Sequence, residues 1–83
     1  MPDPAQLTDL AHAVRARRRE LGLTQAELAD LAGCSERFVY MLEQGKGTVQ
    51  LTKLLAVLRA LGLGLFVGPG HGDIAQLSEE QAL

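Results

Sequence analysis

In the segment from Ser35 to Gln44, five side chains recur at helical spacing: Glu36, Arg37, Tyr40, Met41 and Gln44. At about 100° per residue they fall on one face. Ser35, Val39, Leu42 and, at the margin, Phe38 and Glu43 fall on the other. The first face carries groups that suit nucleic-acid base edges. A guanidinium fork such as that of Arg37 can bond both O6 and N7 of guanine. A carboxylate such as that of Glu36 can accept from the cytosine N4 amino group, or it can orient Arg37. Met41 can meet a thymine methyl, and Tyr40 can reach a phosphate or a base edge. Phe38 reads as a packing residue at the edge of the core.

Two short helices must position this face. Thr24 is an N-cap, and Glu27 three residues on completes a capping box. Leu28, Ala29, Leu31 and Ala32 give the first of the two an apolar face. Gly33 stops it, because glycine tolerates the left-handed conformation of a sharp reversal. Ser35 then caps a second helix that ends at Gly45. Two helices joined by so tight a turn have the geometry of a helix-turn-helix, whose second helix can enter the DNA major groove.

Before them, Asp3 caps a helix with Pro4 in its first turn and Gln6 placed to close a capping box; Gly22 ends it. Leu7, Leu10, Ala11, Val14 and Leu21 trace its apolar stripe. Arg18 falls on that stripe, and a buried guanidinium needs a partner. Arg15, Arg17 and Arg19 form either a solvated basic face or an approach to phosphate. After the helix-turn-helix, a fourth helix spans about Gln50 to Leu61, with Leu51, Leu54, Leu55, Leu58 and Leu61 at helical spacing. That is more apolar surface than one face of a small domain needs, so part of it is expected to face a partner chain.

The run T-Q-A-E-L-A-D-L-A-G-C-S-E-R-F-V-Y-M-L-E-Q-G-K resembles the helix-turn-helix of the phage-repressor/Cro-like (XRE) family. Gln25, Ala29, Gly33, Val39, Leu42, Glu43 and Gly45 stand where that pattern wants them. Within the family, S-E-R-F-V-Y-M-L-E-Q-G-K-G-T-V-Q-L is most similar to HipB-type antitoxins. The resemblance implies an all-α, lambda-repressor-like domain of four helices with a short C-terminal β-strand paired across a dimer. It implies base readout by Glu36, Arg37, Tyr40 and Met41, and DNA-backbone contacts from Thr24, Gln25, Ser35, Gln44, Lys46 and Thr48. Gln25 would bond a phosphate beside a helix N-terminus. Arg18 and Glu43 would form a structural ion pair that braces the first helix against the third. An acid at Glu36 departs from the common HipB-type pattern, which puts the operator sequence in question but not the binding mode.

Leu63 to Val67 reads as a strand, with Leu63, Leu65 and Val67 on one side and Gly64 and Phe66 on the other. The chain offers it no second strand. An unpaired apolar strand invites association, so pairing of Leu63, Leu65, Phe66 and Val67 with the same strand of a second copy is expected. An extended segment packed on the fourth helix of its own chain is the alternative. HipB-type antitoxins are known for such an intermolecular ribbon.

The 83 residues carry a formal charge of −2, distributed unevenly. All eight bases lie before residue 60, against seven acids in residues 1–68. Asp73, Glu79 and Glu80 make the remainder acidic. Residues 1–68 therefore read as the DNA-binding domain with its dimerisation strand, and 69–83 as a flexible acidic tail. Binding is expected to rest on dimerisation and specific contacts more than on bulk charge. One cysteine, Cys34, excludes an internal disulfide and reads as a small core filler. His12 and His71 stand apart from any acid or thiol cluster, so neither metal nor cofactor is implied. No nucleophile–base pair or phosphate-binding loop points to an enzyme. With neither a signal peptide nor a membrane-length apolar run, the chain is expected in the cytoplasm.

The functional expectation is a sequence-specific repressor on an inverted-repeat operator. By resemblance it is a HipB-like antitoxin that represses its own operon and binds a HipA-type serine/threonine kinase toxin. A stand-alone XRE-family regulator and a protein-interaction module that has lost DNA binding are the alternatives.

Overall fold

The computed structural model describes residues 4–46, 48–66 and 68–69. The expectations for Asp3, for the side chains of Gln6 and Leu7, for Val67 and for the tail from residue 70 lie outside what it describes. Four helices follow in order: α1 (Pro4–Glu20), α2 (Gln25–Ala32), α3 (Glu36–Gln44) and α4 (Leu51–Ala60). Among the described residues there is no strand.

Local chemistry sets the helix ends. At α2 the Glu27 amide donates to Thr24 Oγ1 at 3.0 Å, and the Thr24 amide donates to Glu27 Oε1 at 2.8 Å. These bonds satisfy two amides that a helix start otherwise leaves unpaired. At α3 the Phe38 amide donates to Ser35 Oγ at 3.0 Å. Between the two helices Gly33 adopts φ +72°, and the Cys34 amide reaches back to the Ala29 carbonyl at 3.0 Å. A side chain in that left-handed conformation would be strained, which is why glycine makes the reversal.

α2 packs against both α3 and α4, and α1 packs against α3. The core joins Leu10 and Val14 of α1, Leu28 and Ala29 of α2, Val39 and Leu42 of α3, and Leu54, Val57 and Leu58 of α4, with Leu61 just beyond. Fully burying each of these larger aliphatic side chains contributes about 1.5–3 kcal/mol. Cys34 and Phe38 pack at its margin, and Lys53 of α4 lies 5.8 Å from the Phe38 ring centroid.

Two leucines expected on apolar stripes lie outside the core. Leu21, which follows the last residue of α1, is 44% exposed. Leu31 is 65% exposed because the core covers the face of α2 that carries Leu28, Ala29 and Ala32. On α4, Leu51 and Leu55 are exposed while Leu54, Val57 and Leu58 are buried. This is the division of apolar surface that the leucine-rich pattern anticipates.

The segment after α4 folds back on the core. The Leu63 amide donates to the Leu58 carbonyl at 2.8 Å, and Leu63 and Leu65 pack against the core. Phe66 lies on the other side, over Gly64. A Cβ at Gly64 would stand 2.8 Å from two carbons of the Phe66 ring. Leu63, Leu65 and Phe66 are all half-buried, and the segment 63–66 forms no strand among the described residues.

Candidate nucleic-acid interface

α3 is divided lengthwise. Val39, Leu42 and Glu43 are buried, and Glu36, Arg37, Tyr40, Met41 and Gln44 are exposed together. The buried pair of aliphatic side chains anchors the helix to the core. This leaves one ridge through Glu36 and Tyr40 and a second through Arg37 and Met41, each at a spacing of four residues. Tyr40 and Met41 are large apolar side chains left at 49% and 36% exposure. No hydrogen bond or ion pair joins Glu36 to Arg37 among the described residues. Adjacent residues on a helix diverge, and the two side chains stand apart on separate ridges.

Glu43 fixes the pitch of α3 against the rest of the domain. Its carboxylate is buried, at 6% residue exposure. Arg18 Nε donates to Glu43 Oε2 at 2.6 Å, and Arg18 Nη2 donates to Oε1 at 3.0 Å. A third Arg18 donor, Nη1, reaches the Leu23 carbonyl at 2.8 Å. One guanidinium thus ties α1 both to α3 and to the segment that opens α2. Its pKa is raised above the ordinary arginine value, chiefly by the hydrogen bonds to Glu43, with burial opposing.

Gln25 joins the same cluster. It is half-buried, and its Nε2 donates to Glu43 Oε1 at 3.1 Å. The family resemblance implies a phosphate contact for this side chain; in the fold one of its two amide hydrogens is directed inward, to Glu43. The other expected backbone contacts, Thr24, Ser35, Gln44, Lys46 and Thr48, are all exposed or half-buried at the surface. The Ser35 oxygen accepts a helix amide, which leaves its hydroxyl hydrogen as a donor, whereas the Thr24 hydroxyl accepts the Glu27 amide and also faces the Glu27 carboxylate.

Sequence reading did not find the role of Arg17. Its Nε donates to the Leu61 carbonyl at 2.9 Å, and Nη1 pairs with Glu20 at 3.4 Å. A cation at the end of α4 satisfies a terminal carbonyl and complements the helix dipole. Nothing local signals it, because the partner lies 44 residues away. Cys34 behaves as the filler expected of it. It is half-buried and burial pushes its thiol pKa up, with Lys53 opposing weakly, so little of it is thiolate.

Among the described residues no group of three or more His, Cys, Asp or Glu side chains could hold a metal ion. No described helix is long and apolar enough to cross a membrane.

The Helix-turn-helix family model, HTH_3, matches residues 14–67. A Sinorhizobium fredii protein named Uncharacterized HTH-type transcriptional regulator y4mF is 44% identical over 64 residues, covering 76% of this chain and 84% of that protein. A Methanothermobacter thermautotrophicus protein named Uncharacterized HTH-type transcriptional regulator is 41% identical over 49 residues, covering 59% and 71%. Of solved structures, one called MDT Protein superimposes with a TM-score of 0.70 at 27% identity, covering 86% of this chain and 96% of its own. An HTH_3 family transcriptional regulator from Vibrio cholerae superimposes with a TM-score of 0.65 at 20% identity, a likeness of fold alone. The match covers 71% of this chain but spans only 33% of that protein.

Proposed function

The chain belongs to the Helix-turn-helix family, and from that membership we propose that it is a sequence-specific DNA-binding transcriptional regulator. The observation that carries this is the division of α3. Five long polar or polarisable side chains stand free on the face opposite a buried anchor, immediately after a capped, glycine-closed turn. Arg37 reads guanine, Met41 a thymine methyl, and Tyr40 a base edge or phosphate. Thr24, Ser35, Gln44, Lys46 and Thr48 hold the backbone, and Gln25 adds its second amide hydrogen.

The regulator acts in the cytoplasm as a homodimer on an inverted repeat, with half-sites about one helical turn apart. Leu63, Leu65, Phe66 and Val67 form the dimerisation strand. The apolar residues Leu63, Leu65 and Phe66, left only half-buried by their own chain, support that role. At the finest level the protein is a HipB-like autorepressor antitoxin paired with a HipA-type kinase. Its support is the similarity of the recognition-helix and loop sequence to that subtype.

The test is fluorescence anisotropy with the DNA just upstream of the gene, at about 150 mM salt, beside a scrambled duplex. Binding to the upstream DNA is expected to be roughly a thousandfold tighter. Arg37→Ala should weaken specific binding by about 1–3 kcal/mol. Equal, weak binding of both duplexes would remove autoregulation. A wild-type affinity for Arg37→Ala would remove the groove assignment.

A further inference from the structure

We propose that Glu36 is a specificity-determining residue that selects cytosine at one position of each half-site and excludes guanine and thymine there. The inference rests on the DNA-reading role proposed for α3.

The other glutamates of the helices are engaged within the fold. Glu20 pairs with Arg17, Glu27 closes the capping box on Thr24, and Glu43 is held by Arg18 and Gln25. Glu36 is exposed in the first turn of α3 and has no hydrogen bond or ion pair among the described residues. It therefore enters a groove as a bare carboxylate beside Arg37, which is likewise unpaired among those residues.

A bare carboxylate there is a selective device. The major-groove edges of guanine and thymine present only acceptors in hydrogen-bonding positions: O6 and N7, and O4. Against these, Glu36 is repelled and loses hydration without recompense. Adenine offers its N6 amino group, but N7 beside it opposes the second carboxylate oxygen. Cytosine offers the N4 amino group with no acceptor next to it on its own edge. A preference enforced partly by repulsion is a difference of affinities, so it can be strong even where the favourable contact is modest.

An acid in a first helical turn also stabilises the helix dipole. That role would affect binding to every sequence equally, whereas selection acts at one base pair. The experiment separates them. The full-length wild type, Glu36→Gln and Glu36→Ala would each be used to select from a pool of randomised duplexes at about 150 mM salt, and the bound DNA sequenced. The wild type is expected to enrich an inverted repeat with cytosine at one position of each half-site. Glu36→Ala should enrich the same repeat with that position relaxed about tenfold or more, and Glu36→Gln the same repeat with the cytosine preference lost in favour of adenine, the other positions unchanged. Variant profiles identical to wild type at every position would overturn the inference while leaving DNA reading in place. No enriched motif with the wild type would overturn both.

Discussion

Glu43 is the residue on which the geometry of α3 depends. An isolated buried carboxylate would cost several kcal/mol, but here three donors converge on it: two from Arg18 and one from Gln25. Glu43→Ala should destabilise the fold by about 3–5 kcal/mol, because it strands a largely buried guanidinium. Replacing both partners, Arg18→Met with Glu43→Leu, should cost clearly less. Urea denaturation of the two single variants and the double variant measures this coupling; additive losses would show that the pair acts as two independent groups. A second residue governs part of the pH response. The Thr24 backbone amide, and then the Thr24 hydroxyl, hold the Glu27 carboxyl below the ordinary glutamate range. Its contribution is complete above the unfolded value of about 4.3 and is lost as pH falls through the lower folded value. Glu27→Gln should therefore flatten that part of the acid limb when melting temperature is followed against pH.

The turn between α2 and α3 is the element that sets how the reading face is presented. Gly33 holds φ +72°, and a methyl group in place of its hydrogen would meet nothing within 4 Å, so its requirement is torsional and not steric. Gly33→Ala should lower stability by about 1–2 kcal/mol. Gly33→Asn should recover part of that, because asparagine visits the left-handed region more readily. Equal losses for the two variants in thermal unfolding would point to a cause other than torsion. α1 serves mainly as a bracket: Arg18 holds α3 and Arg17 holds the end of α4. The basic run therefore divides by face. Arg17 and Arg18 make internal bonds, and Arg15 and Arg19 are exposed. The run of types could not reveal this division, since it depends on which carbonyl or carboxylate comes near.

At the level of the whole molecule, a chain this short buries only about 60% of the surface its unfolded form exposes. Leu31, Leu51 and Leu55 remain exposed on α2 and α4. A second copy joined through 63–67 would supplement that small core. Phe66 is half-buried beside Gly64 and is not among the side chains packed on the core, so Phe66→Asp should spare the monomer while placing two like charges near the two-fold axis of the proposed dimer. Sedimentation velocity should show self-association weakened at least about tenfold, with helical circular dichroism retained. If Phe66→Asp associates like wild type and Leu51→Asp does not, α4 closes the dimer in place of the strand.

Much of this architecture was legible in local signals. Thr24, Glu27, Gly33, Ser35 and Gly45 mark helix ends through bonds and torsions that span only a few residues, so their meaning does not depend on the rest of the fold. The partition of α3 was equally legible, because 3.6-residue periodicity assigns faces before any packing occurs. Arg18 and Glu43 could be paired from sequence only through the family resemblance, as their separation hides them from any local rule. The fates of Leu21, Leu31, Gln25 and Arg17 were decided by packing alone. An apolar residue is buried only where another element covers it. A polar side chain's partner is whichever group the fold carries within about 3 Å, and over long separations only tertiary structure makes that choice.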